Sequence, residues 1–217
     1  MFFSQNGVRL TGVFVEGRLE GQAQMLYGNG DRFNGNFCEN QKNGYGEYVY
    51  SNKATYKGQW TGDKRNKVGV MNYANGDRYE GEWKDDKRQG MGTYYFKGGK
   101  AKYSGSWFAD CPDGQGSLLF DSIKGEEYRG EWKGGLRHGK GRYSYGSAGS
   151  WYDGNWESGK KQGKGMFYWA KDDLLFEGQF ENDKMHGQGL LIKNGVKTVI
   201  QINIDQVINY EDFFDLI

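Results

Sequence analysis

The chain has 217 residues with 29 basic and 28 acidic side chains, a formal net charge of +1, and so no field of the strength that recruits nucleic acid. Its 37 glycines, 17% aromatic share and single proline make it too aromatic for a disordered linker and too rich in glycine for an ordinary two-layer core. The opening MFFSQNGVRL lacks a charged region followed by a long apolar stretch, and no apolar run of roughly 18 residues occurs. Neither a secretory leader nor a spanning helix is supported.

In chain order, residues 1–9 are a short lead whose Phe2 and Phe3 are placed to cover a first sheet edge or pair with a partner. Residues 10–193 then repeat one pattern, clearest in YEGEWKDDKRQGMGTYY from Tyr79 to Tyr95. With Tyr79 as position 0, Gly81 stands at +2, Trp83 at +4, Gly90 at +11, Gly92 at +13, Tyr94 at +15 and Phe96 at +17. Eight copies begin at Leu10, Phe33, Tyr56, Tyr79, Tyr103, Tyr128, Tyr152 and Phe176, a period that signals a stacked repeat architecture. Position +2 is always Gly and +4 always aromatic. Lys67 breaks the rule at +11 and Ala23 at +13, and Lys67 is expected to prop the ring row or snorkel past it.

Residues at 0, +2 and +4 share a face only if side chains alternate with period two, which means a strand; positions +11 to +17 continue the alternation. Each copy is therefore a β-hairpin with its turn between +5 and +10, as in Lys84-Asp85-Asp86-Lys87. Asn29-Gly30 and Asn75-Gly76 supply positive φ between copies. A glycine lacks a Cβ, so a flat ring from the neighbouring strand can lie on the bare backbone. Burying such a ring is worth about 4–6 kcal/mol at most, against about 0.5–1 kcal/mol for a strand glycine. A thin sheet can then carry its own hydrophobic row. No Pro/Ser-rich linker interrupts the series, which reads as one continuous domain.

Residues 194–217 break the pattern. After Asn194-Gly195, Ile200, Ile202 and Ile204 alternate with Val199, Gln201 and Asn203 as a further strand over 198–205. Beyond it, Val207, Tyr210, Phe213, Phe214 and Ile217 stand at helical spacing, either a short helix capping the sheet or an acidic-hydrophobic peptide that docks a partner.

The unit Tyr79-Glu80-Gly81-Glu82-Trp83 with Gly90-Met91-Gly92 resembles the MORN (membrane occupation and recognition nexus) repeat, over about Leu10 to Lys193. The resemblance implies an all-β fold, an elongated, twisted single-layer antiparallel sheet of consecutive hairpins. It also implies a scaffold in a cytoskeletal, ciliary or membrane-associated assembly, axonemal or radial-spoke-like; the lack of an Asn-x-Ser/Thr site and two cysteines too far apart to pair separately suggest the cytoplasm. Some members of that family have been proposed to bind phospholipids.

Chemistry finds little purchase. Cys38 and Cys111 stand in repeats two and five, roughly 29 Å apart at ~4.8 Å per strand, beyond the ~7 Å that a disulfide spans. Both are read as free thiols. Gly134-Gly135-Leu136-Arg137-His138-Gly139-Lys140 matches part of a phosphate-binding loop, but Gly141 stands where Ser or Thr must hold magnesium, and the repeat explains Gly139 and Gly141. His138 and His186 fall about 19 Å apart, too far to share a metal, and are read as turn residues. The sequence offers no catalytic, metal or cofactor-binding residue, and its expected activity is recognition.

Aromatic side chains are the commonest interface anchors. The +4 rings are taken up in shielding glycines, which leaves Tyr48, Tyr50, Tyr94, Phe96, Tyr143, Tyr145, Phe167 and Trp169 to line a partner-binding face. The sheet edges leave pairing with a second copy open. A second reading, a peripheral phosphoinositide-binding membrane adaptor, takes Lys133, Arg137, Lys140, Arg142, Lys160, Lys161 and Lys164 as lipid contacts, balanced by Glu131, Asp153 and Glu157.

Overall fold

The structure, a computed structural model, describes residues 2–3 and 7–202, in two compact units, Met1–Cys111 and Pro112–Ile217. The first is an antiparallel meander of β1 (Phe2–Phe3), β2 (Arg9–Val15), β3 (Arg18–Leu26), β4 (Arg32–Cys38), β5 (Gln41–Val49), β6 (Thr55–Thr61), β7 (Lys64–Asn72), β8 (Arg78–Lys84), β9 (Lys87–Tyr95) and β10 (Lys102–Phe108). Each strand pairs with the next in sequence. The second unit repeats this with β11 (Cys111–Asp121), β12 (Glu126–Lys133), β13 (Leu136–Tyr145), β14 (Trp151–Glu157), β15 (Lys160–Trp169), β16 (Leu174–Glu181), β17 (Lys184–Lys193) and β18 (Val196–Ile202). A single 3₁₀ turn, Gly146–Ala148, lies between β13 and β14. The expected all-β class and chain of hairpins are what both units show.

The hairpin turns are tighter than the spacing suggested. Only two residues, +6 and +7, connect the strands, and both take positive φ, as at Asp85 (48°) and Asp86 (68°) or Asn182 (49°) and Asp183 (72°). This is the backbone of a two-residue I′ turn, whose twist matches that of the strands it joins. Gly134 and Gly135 form such a turn, and Gly139 sits at a bulge, so the resemblance to a phosphate loop dissolves into hairpin geometry.

The +2 and +13 positions meet across the ladder. Gly35 pairs with Gly46, Gly46 with Gly58, Gly58 with Gly69, and so on to Gly92 with Gly105 in the first unit. Gly116 through Gly189 do the same in the second. The position 0 ring lies over this bare track. A Cβ added at Gly69 would stand 2.3 Å from the Tyr56 hydroxyl oxygen, and one added at Gly58 2.6 Å from it. The ring therefore covers a glycine of its own strand and one of the hairpin partner, whereas the sequence suggested a roof from the neighbouring strand alone. Tyr56, Tyr79, Tyr128 and Tyr152 are fully buried.

Position +11 plays a different part. The register shifts between Gly35 and Phe37, and again between Gly58 and Trp60 and between Gly81 and Trp83, a bulge that leaves extra residues on the second strand. There Gly44, Gly90 and Gly139 hold φ of 92°, 63° and 55°. A Cβ built on them would meet Asn36, Glu82 and Glu131, which point away from the rings. Lys67 adopts the same conformation with φ 55° and is exposed. It neither props nor passes the ring row, because left-handed φ swings its side chain off that face.

Among the described residues, every substantial contact between elements joins consecutive strands or β12 to the 3₁₀ turn, so the rings of each unit lie on one sheet with no opposing layer. The last strand arrives slightly earlier than expected. β18 begins at Val196, sets Ile200 beside Gly189 and Ile202 beside Gly187, and buries Ile202. Val207, Tyr210, Phe213, Phe214 and Ile217 lie outside the described residues, as does residue 203 to 205 of the expected strand.

Candidate functional site

The ring face is built by two interlocking contacts. The indoles of Trp60, Trp83, Trp107 and Trp156 each stand edge-on to the position 0 ring of their own repeat and to that of the repeat before. Trp83 meets Tyr79 at 5.2 Å and 88°, and Tyr56 at 5.4 Å and 86°. Edge-to-face pairs add about 0.5–1.5 kcal/mol beyond the area they bury. The indole Nε1 also donates to the +13 glycine carbonyl of the preceding repeat, from Trp83 to Gly69 at 3.2 Å and from Trp156 to Gly141 at 2.9 Å. Each tyrosine at position 0 closes the set by donating to its own +3 carbonyl, as Tyr79 does to Glu82 at 3.0 Å.

Cations roof the rings. The +9 side chains Arg65, Arg88 and Arg137 lie 4.4, 4.4 and 4.3 Å from the ring centroids of Trp83, Trp107 and Trp156, each the +4 indole of the next repeat. Lys42 lies among Tyr27, Phe33, Tyr48 and Trp60, and Lys161 among Tyr145, Tyr152 and Phe167. Burial pushes the Lys161 ammonium down to about 8; Asp183 opposes the shift and Arg137 adds to it. Sequence reading missed these cations as a set. The signal was present in the period, since +9 is Lys or Arg in repeats two, three, four, six and seven.

The residues expected to line a docking face are on this side, with unequal access. Tyr48 and Tyr50 pack at 4.5 Å and Tyr94 and Phe96 at 5.0 Å in the first unit. Tyr143, Tyr145, Phe167 and Trp169 form a run in the second, at 4.7, 5.4 and 4.6 Å. Phe96 is exposed, Tyr48, Tyr50, Tyr94, Tyr145 and Phe167 are half-buried, and Tyr143 and Trp169 are buried. The hydroxyls of Tyr48 and Tyr94 donate to Asp31 at 2.7 Å and Asp77 at 2.6 Å, and that of Tyr143 donates to Glu126. Burial first, and then these bonds to carboxylates, push the three phenols up. For Asp31 and Asp77 burial works in the other direction but is outweighed by the hydrogen bonds they accept, and both carboxyls are held below their ordinary range.

The seven basic residues weighed as lipid contacts divide between faces. Arg137 and Lys161 belong to the ring face, opposite Trp132 and Trp156. Lys133, Lys140, Arg142, Lys160 and Lys164 are exposed on the other face, which they share with Glu131, Asp153 and Glu157. Arg142 there stacks on Trp151 at 4.2 Å and reaches Asp153 at 3.7 Å. His138 and His186 lie inside β13 and β17 beside the bulges, so the reading of turn residues is corrected; His186 Nε2 is 3.8 Å from Glu181. Cys38 and Cys111 are free and exposed.

A single-layer sheet of serially joined, near-identical hairpins defines a repeat protein. The family model described as MORN repeat matches residues 11–32, 33–55, 56–78, 79–100, 103–122, 128–149, 152–173 and 176–195, and the chain belongs to that family. No curated protein matches the chain at a significant level. Among solved structures, the chain is similar to the SAS-4 (dCPAP) TCP domain of Drosophila melanogaster in complex with a proline-rich motif of Ana2 (dSTIL). That match has 18% identity and a TM-score of 0.46 over 73% of this chain and 85% of that one. The wild-type TCP10 domain of Danio rerio CPAP with a peptide of Danio rerio STIL matches at 13% identity and a TM-score of 0.49, over 92% and 91%. Likeness this distant decides nothing about function.

Proposed function

We propose that this MORN-repeat chain is a non-enzymatic scaffold that docks a protein partner along its ring face, within a cytoskeletal or ciliary assembly of the axonemal or radial-spoke kind. The carrying observation is that a row of half-buried aromatics and stacked cations has no opposing layer among the described residues. Such side chains give large contact area at small entropic cost and dominate interface energetics. The cytoskeletal or ciliary setting rests on what members of the family commonly do. The phosphoinositide alternative would need the basic side chains to converge, and their division between the two faces gives it less support.

The test is a photo-cross-linking amino acid in place of Tyr50 or Phe96, with controls in place of Tyr45 and Val68, which are exposed on the opposite face. In cytoskeletal extracts of ciliated cells, positions 50 and 96 are expected to capture a common protein that the controls do not. Equal capture from both faces would refute docking through the rings, and equal capture from extracts of non-ciliated cells would refute the ciliary setting.

A further inference from the structure

Between consecutive repeats, the +9 cation is clasped by the +7 residue of the next. Arg65 shows the complete set. Its backbone N–H and its Nε both donate to Asp86 Oδ1, at 3.0 and 2.9 Å, and its Nη2 donates to the Asp86 carbonyl at 2.9 Å. Arg88 does the same with Asp110, at 2.9, 3.1 and 2.7 Å. Arg137 keeps the stacked pose over Trp156 and the Nη2 bond, at 2.7 Å to the carbonyl of Gly159. But Gly159 has no side chain, so the carboxylate that the other two guanidinium groups hold is missing at this junction. Among the described residues, Arg137 enters no salt bridge.

The neighbouring junction has lost both members of the pair. Pro112 stands at +9 and Gly135 at +7, although the backbone bond between them persists, with Gly135 N–H donating to the Pro112 carbonyl at 2.8 Å. Here lies a hollow of about 290 Å³, walled by Leu118, Phe120, Leu136 and Tyr143, with Gly135, Arg137 and Gly159 at its rim. The guanidinium is already oriented by stacking and by one hydrogen bond, so an arriving carboxylate meets a donor whose ordering cost has been met.

We propose that this hollow receives a carboxylate in trans. An aspartate or glutamate of a partner polypeptide takes the place of the missing aspartate on Arg137, and an adjoining bulky apolar side chain enters between Phe120 and Leu136. The inference rests on the scaffold reading above and names the chemistry of the partner. Charge complementarity argues for it, because Arg137 lacks a salt-bridge partner among the described residues, whereas Lys161, the next ring-face cation, already has Asp183 beside it. Residues 203–217 of this chain carry Asp205, Glu211, Asp212 and Asp215 beside Phe213 and Phe214, which makes an occupant in cis a distinct outcome of the test.

The probes are two capped synthetic peptides with the core Phe-Asp-Phe or Phe-Asn-Phe, titrated to millimolar concentration into the isotope-labelled full chain and followed by amide and indole NMR shifts. The Asp peptide is expected to move the Gly135 and Gly159 amides and the Trp156 indole, and the Asn peptide to bind about ten-fold more weakly. Gly159→Asp restores the residue that Asp86, Asp110 and Asp183 supply at the same turn position. The nearest atom to the added Cβ is Leu136 Cδ2, at 3.8 Å, and the left-handed φ of 84° at Gly159 is close to the 68° and 72° that Asp86 and Asp110 already hold, so the variant is expected to fold and to abolish binding. Arg137→Gln is expected to abolish it too. Equal binding of the two peptides, binding that survives Gly159→Asp, or no binding at all would each overturn the proposal. So would Gly159→Asp shifting amides of residues 203–217 in the absence of peptide, which would assign the slot to the chain itself. Cross-linking that succeeds from positions 50 and 96 while the peptides fail removes this inference alone; failure of both removes the docking reading with it.

Discussion

Two kinds of glycine carry this fold, and they differ in what a side chain would meet. At +13 the limit is space. A methyl at Gly69 would stand 2.3 Å from the Tyr56 hydroxyl and 2.5 Å from its Cζ, and so would lift the ring from the sheet. At +11 the limit is torsion, and Lys67 already stands there at φ 55°. Gly69→Ala is therefore expected to cost about 3 kcal/mol by overpacking, while Lys67→Gly is expected to gain about 0.5–1 kcal/mol by relieving left-handed φ. Urea midpoints decide the matter: equal, small effects of the two substitutions would show that the rings do not need bare backbone.

In repeats three to seven an indole joins the hairpin to the one before it. Trp83 both stands against Tyr56 and donates to the Gly69 carbonyl, so it couples repeats three and four through packing and through a buried hydrogen bond. Trp83→Phe keeps most of the ring contact and deletes the donor, at an expected cost of about 1 kcal/mol. Phe37 and Phe180 occupy the same template position naturally and are buried, which makes such a variant foldable. Trp83→Ala removes both contributions, and denaturant unfolding should place it about 3–5 kcal/mol below the wild type. If Phe and Ala prove equally costly, the hydrogen bond and not the ring is the joint.

At the scale of the whole molecule, burial of so many phenols sets the response to alkali. Burial is the largest cause raising the pKa values of Tyr56, Tyr79, Tyr128 and Tyr152, and it carries Tyr145 to about 12. A folded-state value above the unfolded one, about 10, means that this stability is fully present below pH 10 and is lost as pH climbs past it. Lys161 acts in the opposite sense. Its value of about 8 lies below that of the unfolded chain, which then holds more protons between pH 8 and about 10.4, so stability rises across that window. Urea titrations from pH 7 to about 11 are expected to show a shallow rise followed by a steep fall. Lys161→Met is expected to remove the rise and leave the fall. Loss of stability that begins well below pH 9 would contradict the burial of the tyrosines.

The period of glycine and aromatic residues by itself determined strands, hairpins, repeat number, family and the side on which the rings lie, because alternation along a strand is a local property that every copy states again. Alternation alone puts Tyr56, Gly58 and Trp60 on one face. Tertiary structure alone decided what depends on the meeting of neighbouring repeats. It separated the bulge glycines such as Gly90 from the roofed ones such as Gly92, laid each tyrosine over its own strand, and set Arg65 on Trp83 with Asp86 as its anchor. The contacts of Arg65 join residues about twenty positions apart, where no local rule of spacing reaches. Gly159 shows the difference: in the sequence it is one more turn glycine, and only beside Arg137 does it become the place of a missing carboxylate.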